Sequence, residues 1–155
     1  MTLTAHVCTA CAIGVATGDP LLGFLGGFLS HHVLDAIPHS DAGSLGANVN
    51  NMLKSNSLKY VILDIVLAGI IFFTIWGRYS FNLVIFFSAL GGALPDIIDN
   101  SPFWSKYTRK VFPTNYYHKF HETVHFTILN KRYFWVGIAT QALFIMLSLY
   151  YIYYV

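Results

Sequence analysis

Long runs of apolar residues alternate with polar stretches along this chain. The longest run, Leu58 to Trp76, has the length that a helix needs to cross about 30 Å of hydrocarbon. A second long run covers Tyr133 to Val155. Three shorter runs end at glycine or proline signals and cover Leu3 to Thr17, Leu21 to Ile37, and Phe81 to Leu94. The pattern predicts an all-α integral membrane bundle of about five spans, formed by residues 1–155 as a single domain.

Two polar stretches separate the predicted spans: residues 38–57, rich in Gly, Asn and Ser, and residues 95–132. The second stretch contains residues 114–129, whose pattern predicts an amphipathic helix at the membrane interface. If all five runs cross, both stretches and the amino terminus share one side, which carries every Lys and Arg except Arg78. The positive-inside rule then places this side in the cytoplasm and the carboxyl terminus outside.

The composition also indicates a membrane protein, since 55% of the residues are hydrophobic, 17% are aromatic and only 10% are charged. Ordinary soluble domains have about 25% charged residues. The formal net charge of +2 is small, and the basic residues are too scattered to form a stripe for a phosphate backbone. We therefore expect the bilayer as a partner and no nucleic acid.

The titratable residues fall mainly on the predicted cytoplasmic side. All seven histidines and every acidic residue except Asp19 lie on or near it. Asp64 lies about a turn and a half inside the third predicted span, where a buried carboxylate is costly. We expect it to be either an inward-facing acid that supports a polar site or a partner for Lys59.

A histidine-rich segment at the end of the second predicted span carries the first candidate site. His31 and Asp35 are one helical turn apart and point to the same side, so they can share one ion. His39 continues this stripe beyond the turn that Pro38 imposes. His32 points about 100° away and is expected to contact substrate or to support a ligand. The alternative is an ordinary helix end with interfacial histidines.

Two carboxylates, Asp96 and Asp99, follow the fourth predicted span directly after Leu94-Pro95. This spacing favours metal ligation, and Asp99 is also a candidate for the catalytic acid or base. The alternative is that both residues cap a following turn, where aspartate is a preferred residue.

The densest group of candidates lies in the predicted amphipathic helix and contains His118, His121, Glu122 and His125. Residues 121–125 read His-Glu-x-x-His, a spacing that can hold zinc between two histidines with the glutamate as general base. His118 and Glu122 are again one turn apart. The alternative is an interfacial helix that turns its polar residues toward water.

Cys8 and Cys11 form a C-x-x-C pair inside the first apolar run. Such a pair can be a redox couple or a pair of zinc ligands. Two small, soft side chains one turn apart also pack well against apolar neighbours. We expect packing, and we therefore expect both thiols to be dispensable.

Several of these patches resemble known metalloenzymes. Thr4-Ala5-His6, the run from Gly91 to Asp99 with its Leu-Pro-Asp core, and the downstream histidines resemble the bacterial and archaeal membrane-bound metal-dependent hydrolases. His31-x-x-x-Asp35 with His39 is similar to a segment of the zinc-dependent phospholipases C, and His118-x-x-x-Glu122 is similar to their second element. The chain lacks their amino-terminal tryptophan ligand. The resemblance implies a metal-dependent hydrolase that cuts a phosphoester.

Imidazoles and carboxylates together suit zinc, or manganese where carboxylates dominate, and we expect two or three ions. The candidate ligands are His6, His31, Asp35, His39, Asp96, His118, His121 and His125. Glu122 or Asp99 is the candidate acid or base. The residues expected to hold the anionic headgroup of a lipid are Lys106, Arg109, Lys110 and Lys119. The expected reaction is hydrolysis of a lipid-linked phosphoester at the cytoplasmic membrane face.

Two other functions fit parts of the sequence. A zinc protease would use His121, Glu122 and His125 to cut peptides. A carrier of metal ions or protons would need ligands through the depth of the membrane. The candidates instead collect at one face and leave only Asp64 somewhat deeper, so transport is the least favoured function.

Overall fold

The chain folds into seven α-helices without strands, which confirms the predicted all-α class. The computed structural model describes residues 1–155. The helices are α1 (Leu3–Thr17), α2 (Pro20–Asp35), α3 (Leu58–Arg78), α4 (Leu83–Asp99), α5 (Ser105–Thr108), α6 (Thr114–Val124) and α7 (Phe134–Tyr154). Single turns of 3-10 helix occur at Gly43–Leu45, Met52–Lys54 and Lys131–Tyr133.

A tight turn joins α1 to α2, and its residues explain where each helix stops and starts. Gly18 ends α1 with a φ of 64°, and its N–H binds the Gly14 carbonyl. Asp19 then caps α2, because its carboxylate accepts the N–H groups of Leu21 and Leu22. The chain reverses here, so the start of α1 and the end of α2 lie at the same end of the molecule.

Helix α1 is the centre of the bundle and packs against α2, α3, α4 and α7. Glycines let the neighbouring helices approach closely. A Cβ atom on Gly92 of α4 would lie 2.6 Å from the Cβ of Ala10 in α1, and one on Gly27 of α2 would lie 2.5 Å from the Ser88 carbonyl of α4. The backbones of α1, α2 and α4 are therefore in near-direct contact.

Two helical segments are long and apolar enough to cross a membrane by length and composition, α3 and the segment Lys131–Tyr154 that includes α7. Most of their residues face outward, since only 11% and 22% of the most apolar window of each are buried. Helices α1, α2 and α4 have 15, 16 and 17 residues. A full crossing takes about 20 residues, so two of the five predicted spans have the full length.

Helix α4 continues through Pro95 to Asp99, although the sequence pattern predicted an end just before the proline. A proline inside a helix has no N–H to donate and usually ends or kinks it. In this helix Gly92 packs tightly against α1, and its carbonyl accepts the Nδ1–H of His31 at 2.8 Å. These contacts hold the backbone next to the proline. Asp96 and Asp99 consequently lie on the last turn of α4 and not after it.

Helix α6 is shorter than the amphipathic helix predicted over residues 114–129, so that prediction was wrong at its carboxyl end. The residues that follow run as an extended segment beside residues 35–39. The N–H groups of Phe126 and Ile128 bind the carbonyls of Asp35 and His39, each at 2.7 Å. This pairing satisfies backbone groups that a longer helix would have paired internally.

Candidate metal centre

The predicted ligands gather at one end of the bundle, where α1, α3 and α7 begin and α2 and α4 end. Helix α6 and the paired extended segments complete this end. All the predicted ligands except His118 come together here: His6, His31, Asp35, His39, Asp96, His121 and His125. The folded chain therefore has the convergence that the alternating spans led us to expect.

Asp35 is the centre of this cluster, and its side chain is fully buried. Imidazole Nε2 atoms surround its two oxygens at 3.0 Å (His31), 3.2 Å (His6 and His121), 3.7 Å (His125) and 4.0 Å (His39). The amino group of Met1 also contacts this carboxylate. A carboxylate removed from water needs compensating positive charge, which these rings can supply as protonated groups or through a bound cation.

Site 1 consists of His31, Asp35 and His121. The Nε2 atoms of the two histidines are 3.3 Å apart, and they lie 3.0 and 3.2 Å from Oδ2 of Asp35. A tetrahedral zinc ion with ligands at 2.0–2.1 Å would hold its ligand atoms about 3.3 Å apart. The three atoms thus already have the spacing of three zinc ligands.

Site 2 consists of Asp35, His39 and His125, and Asp41 lies beside its two imidazoles. Oδ2 of Asp41 lies 3.4 Å from Nε2 of His39 and 3.6 Å from Nε2 of His125. Asp41 also accepts the Thr127 hydroxyl at 3.0 Å. The sequence interpretation missed Asp41, although the pattern His39-x-Asp41 gave a signal, because alternate residues of an extended segment share a face. The donor set of two imidazoles and two carboxylates is one that zinc accepts.

Site 3 consists of His6, His31 and Asp96, whose ligand atoms all lie within 4.8 Å of one another. Oδ1 of Asp96 is 3.8 Å from Nε2 of His31, the same nitrogen that faces site 1. An imidazole nitrogen has a single lone pair. Sites 1 and 3 therefore compete for His31, and they cannot both use it.

Four of the imidazoles are oriented in the same way, with Nδ1 on a protein oxygen and Nε2 toward Asp35. The Nδ1 partners are the Gly92 carbonyl for His31 (2.8 Å), the Ile37 carbonyl for His39 (2.8 Å), Asp99 for His121 (3.1 Å) and the Thr127 hydroxyl for His125 (3.0 Å). A carbonyl or a carboxylate only accepts hydrogen bonds, and the Thr127 hydroxyl donates its proton to Asp41, so each Nδ1 carries its proton. The Nε2 lone pairs are then available to a metal ion, as in known metal sites.

Several buried nitrogens of the cluster have no hydrogen-bond partner: both ring nitrogens of His6 and Nε2 of His39. Nε2 of His6 is 3.2 Å from Asp35 but lacks the geometry of a hydrogen bond. A buried polar atom without a partner costs about 1–3 kcal/mol. A cation beside these nitrogens would satisfy them, so the residues present fit a metal.

The electrostatic surroundings of the two histidines in and after α6 differ. Burial lowers the pKa of His121, but hydrogen bonds to Asp35 and Asp99 outweigh burial and raise it to about 9. Burial dominates at His125 and lowers its pKa to about 4. Without a bound ion, His121 therefore holds a proton near neutral pH and His125 does not. The proton at His121 marks a position that strongly attracts positive charge.

Asp99 lies behind His121, away from the interior of the cluster. Its carboxylate accepts bonds from Nδ1 of His121 at 3.1 Å, from Nδ1 of His118 at 3.0 Å and from Nε of Arg109 at 3.0 Å. This carboxylate, expected from sequence to be an acid or base, thus orients the His121 ring. His118, expected to be a ligand, uses its Nδ1 on Asp99 and belongs to none of the three sites.

Glu122 points away from the cluster. Its side chain is 76% exposed, and its Oε2 lies 3.8 Å from Nε2 of His118. His125 lies beyond the end of α6, so the residues of the His-Glu-x-x-His motif do not share one helical face. Since His121 belongs to site 1 and His125 to site 2, the geometry gives no support to a zinc protease.

The residues expected to contact substrate fall into two sets. His32 packs edge-on against Phe28 and Phe120, and its Nε2 is 3.3 Å from the Tyr117 hydroxyl. Arg109 is held by Asp99. The exposed basic residues on and after α5 and on α6 are Lys106, Lys110 and Lys119. These three lysines remain available to an anion.

Asp64 faces inward, but its hydrogen bonds are to the start of helix α1 and not to the metal centre. Its carboxylate accepts the N–H groups of Leu3 and Thr4 at 2.7 and 3.1 Å and the Thr4 hydroxyl at 2.7 Å. The first turn of α1 is thereby capped from α3, just before His6. The structure gives Asp64 no contact with Lys59, the other partner that the sequence suggested.

Gln141 is a buried residue of α7 that the sequence interpretation missed. Its Oε1 accepts the Thr2 N–H at 2.6 Å, and its Nε2 donates to the Ser40 carbonyl at 2.5 Å. It joins the segment before α1 to the segment that carries site 2. A single glutamine in an apolar run has no pattern that predicts such a contact.

Cys8 and Cys11 are free thiols that are fully buried in the packing of α1. Neither belongs to sites 1 to 3. Cys11 packs in an apolar cluster with Val7, Ile85 and Ala89. Their positions agree with a packing role.

The resemblance to two hydrolase groups suggested by the sequence has no support from comparison with known proteins. No protein-family model, no curated protein and no solved structure matches this chain.

Proposed function

We propose that this protein is a membrane-embedded, metal-dependent hydrolase that cleaves a phosphoester of a lipid or lipid-linked substrate. The observation that carries the proposal is the common orientation of His31, His39, His121 and His125 around Asp35. Each ring has Nδ1 anchored on oxygen and Nε2 facing a buried carboxylate. An ordinary helix end with interfacial histidines requires no such arrangement, whereas a metal centre does.

In the proposed membrane arrangement, the five long helices enter the bilayer together. Large apolar side chains are exposed on the outer faces of α2, α3 and α7, for example Leu29, Leu63 and Leu147. Exposed aromatic residues on α5 and α6, such as Tyr107 and Tyr116, lie beside lysines, as residues at a membrane interface do. The distribution of Lys and Arg supports a metal centre at the cytoplasmic face and a carboxyl terminus outside.

Sites 1 and 2 would each hold one ion, with Asp35 as a ligand common to both. Zinc suits the imidazole-rich donor set, and manganese is the alternative because three carboxylates are close by. Bound divalent ions would lower the pKa of a coordinated water and neutralise charge on phosphoryl oxygens. Site 3 competes with site 1 for His31, so its remaining residues, His6 and Asp96, flank the ions.

Asp96 is the residue that we assign to proton transfer. Its side chain is 23% exposed, whereas Asp35 is fully buried. Its Oδ1 lies 3.8 Å from Nε2 of His31 and accepts a hydrogen bond from Asn100 at 2.6 Å. A carboxylate at the open side of the ions can take a proton from the attacking water and return it to the leaving group. In this proposal Asp96 replaces Asp99 and Glu122 as the acid or base.

The test is to measure metal content and hydrolysis on folded, detergent-purified protein. We expect about two divalent ions per chain and turnover of a lipid phosphoester that stops on chelation. His31→Ala removes a site 1 ligand and should lose most of the activity and part of the metal. His32→Ala is the matched control at the neighbouring position, and it should keep the metal. Hydrolysis that persists in metal-free protein would contradict the proposal, as would full occupancy in His31→Ala.

A further inference from the structure

An apolar groove runs along the outside of the bundle between α3 and α4, with α1 as its floor. Nine of its ten lining residues are hydrophobic, and its volume is about 250 Å³. Small residues create it, notably Ala68 and Gly69 on α3 and Ala93 on α4. A Cβ atom added to Gly69 would meet nothing within 4 Å, so the groove is open at this position.

The groove is closed at the end far from the metal centre. Phe72 and Phe86, which line it there, have ring centroids 6.5 Å apart. Trp76 packs against both, at 5.3 and 5.6 Å. These three rings form an aromatic plug, so a molecule that lies along the groove can extend past the other end but not past this one.

The open end of the groove lies beside the metal centre. Ala93 precedes Asp96 by three residues on α4, so the two share a helix face. Leu3 precedes His6 by the same spacing on α1. The two helices are in contact at this level, since a Cβ atom on Gly92 would lie 3.0 Å from the His6 carbonyl. The groove therefore ends at the residues of site 3, where Asp96 is partly exposed.

We propose that this groove holds the first part of one acyl or prenyl chain of the substrate, and that it directs the attached phosphoester to the metal centre. The headgroup part of this inference rests on the proposed function. A water molecule occupies roughly 30 Å³ of the liquid, and a methylene group is of similar size, so the volume accepts about eight methylenes. An α-helix with side chains is about 10–12 Å across and rises about 1.5 Å per residue, so the same volume would hold only about two of its residues.

The groove orients the substrate chain and adds little to its binding affinity. Lipid tails already surround the protein, so a chain gains little apolar burial by moving from the bilayer into the groove. A chain confined between the aromatic plug and Asp96 has its headgroup held at a fixed position. Such positioning can contribute several orders of magnitude to a rate. The inferred substrate class is a phosphoester with at least one linear apolar chain.

Gly69→Phe tests this inference, because its Cβ atom would meet no neighbour within 4 Å and its ring would occupy the groove. Ile70→Phe is the matched control, since Ile70 is the next residue and is 60% exposed on the outer face. We expect Gly69→Phe to lower kcat/KM for a long-chain lipid phosphoester by at least about tenfold. Its activity on a water-soluble phosphoester and its metal content should match those of the parent protein. Ile70→Phe should leave both activities unchanged.

A second measurement is independent of hydrolysis. A phosphatidic acid with a photoactivatable diazirine in its acyl chain is incorporated into vesicles with the protein, and the labelled peptides are mapped. We expect labelling concentrated on the groove faces of α3 and α4, lost in Gly69→Phe and retained in Ile70→Phe. If this pattern occurs but no phosphoester is cleaved, the proposed function fails and the groove inference stands.

Two results would overturn the groove inference. The first is equal hydrolysis of the long-chain substrate by Gly69→Phe and the parent protein, in preparations that cleave the soluble substrate. The second is even labelling of all outward helix faces, or cross-linking of the groove to a second protein chain in place of lipid. Either result leaves the metal centre unaffected.

Discussion

At the scale of single residues, the oxygen atom that accepts the Nδ1–H of each imidazole determines how strongly its Nε2 can bind a metal ion. A neutral carbonyl lies behind His31, whereas the charged Asp99 lies behind His121. A carboxylate partner makes the imidazole a stronger electron donor to a metal and fixes its ring orientation. Arg109 in turn holds Asp99 in place. His121 should therefore be the strongest imidazole ligand of site 1.

Asp99→Asn removes the charge behind His121 while keeping an oxygen that can accept its Nδ1–H. We expect the affinity for zinc to fall about 10- to 100-fold, with the fold retained. Glu122→Gln is the control, because Glu122 is exposed and lies outside the three sites. Titration of the metal-free variants with zinc measures both effects. Loss of activity in Glu122→Gln with zinc retained would instead favour the protease chemistry of His-Glu-x-x-His.

Asp41→Asn tests site 2 alone. The side chain keeps its shape, and its Oδ1 can still accept the Gly43 N–H, which it binds at 2.8 Å. Site 2 loses the charge of one carboxylate, so we expect bound metal to fall from about two ions per chain toward one, with site 1 still occupied. Elemental analysis after dialysis measures this, with Asp19→Asn at an exposed position as the control. Two tightly bound ions in Asp41→Asn would remove Asp41 from the ligand set.

The contacts that a sequence can predict are those between residues whose relation is local. His31 and Asp35 meet because helical spacing alone puts them on one face. Asp41 and the anchoring role of Asp99 depend on chain segments that are distant in sequence. The exposure of Glu122 depends on how α6 is rotated against α2, which no local pattern specifies.

At the scale of elements, the position of α1 depends on a cap supplied by another helix. Asp64 of α3 accepts both N–H groups at the start of α1, and the next turn carries His6. Buried N–H groups without a partner are costly, and more so where water is absent. The cap therefore connects the stability of the bundle to the placement of a site 3 residue.

Asp64→Leu removes this cap and leaves the N–H groups of Leu3 and Thr4 without their acceptor. We expect a loss of about 2 kcal/mol, which corresponds to a decrease in melting temperature of roughly 4–8 °C for a chain of this size. Asp19→Ala removes the exposed cap of α2, where water can replace the carboxylate, and should have a smaller effect. Thermal unfolding in detergent compares the two variants. A melting temperature of Asp64→Leu equal to that of the parent protein would show that the Asp64 cap contributes nothing to stability.

The element boundaries that the sequence predicted incorrectly also have non-local causes. Pro95 should end a helix, but the contacts of Gly92 with α1 and His31 allow α4 to continue. The polar and apolar residues alternate from His125 to Ile128, which favours an extended segment, and the backbone there pairs with residues 35–39. Both deviations occur next to the metal centre, and both bring a candidate ligand to it.

At the scale of the whole molecule, the cluster joins segments that are distant from one another in the sequence. Its ligands come from α1, α2, α4, α6 and the two extended segments. Without an ion, their mutual contacts leave buried nitrogens unsatisfied. A bound ion therefore stabilises the folded state, because the separated ligands of the unfolded chain bind it far more weakly.

Metal removal should lower the thermal stability of the protein. Zinc at about 1,000 times its Kd contributes roughly 4 kcal/mol, or about 10 °C in the melting temperature, and readdition after chelation should restore it. The increase in melting temperature on zinc binding should become larger between pH 6 and pH 9, because zinc ions and protons compete for the same imidazoles. The raised pKa of His121, about 9, acts in the same direction. In the ion-free protein its proton stabilises the fold below the ordinary histidine pKa, and this contribution is lost as the pH rises through 9.

The comparison is made by melting ion-free and zinc-loaded protein at each pH in the same detergent. His31→Ala with zinc is the control, since it lacks a ligand of site 1 but keeps the remaining fold contacts. Its zinc-dependent gain should be much smaller than that of the parent protein at every pH. If zinc does not change the melting temperature of the parent protein, protons alone hold the cluster together. The proposal of a metal centre would then be wrong.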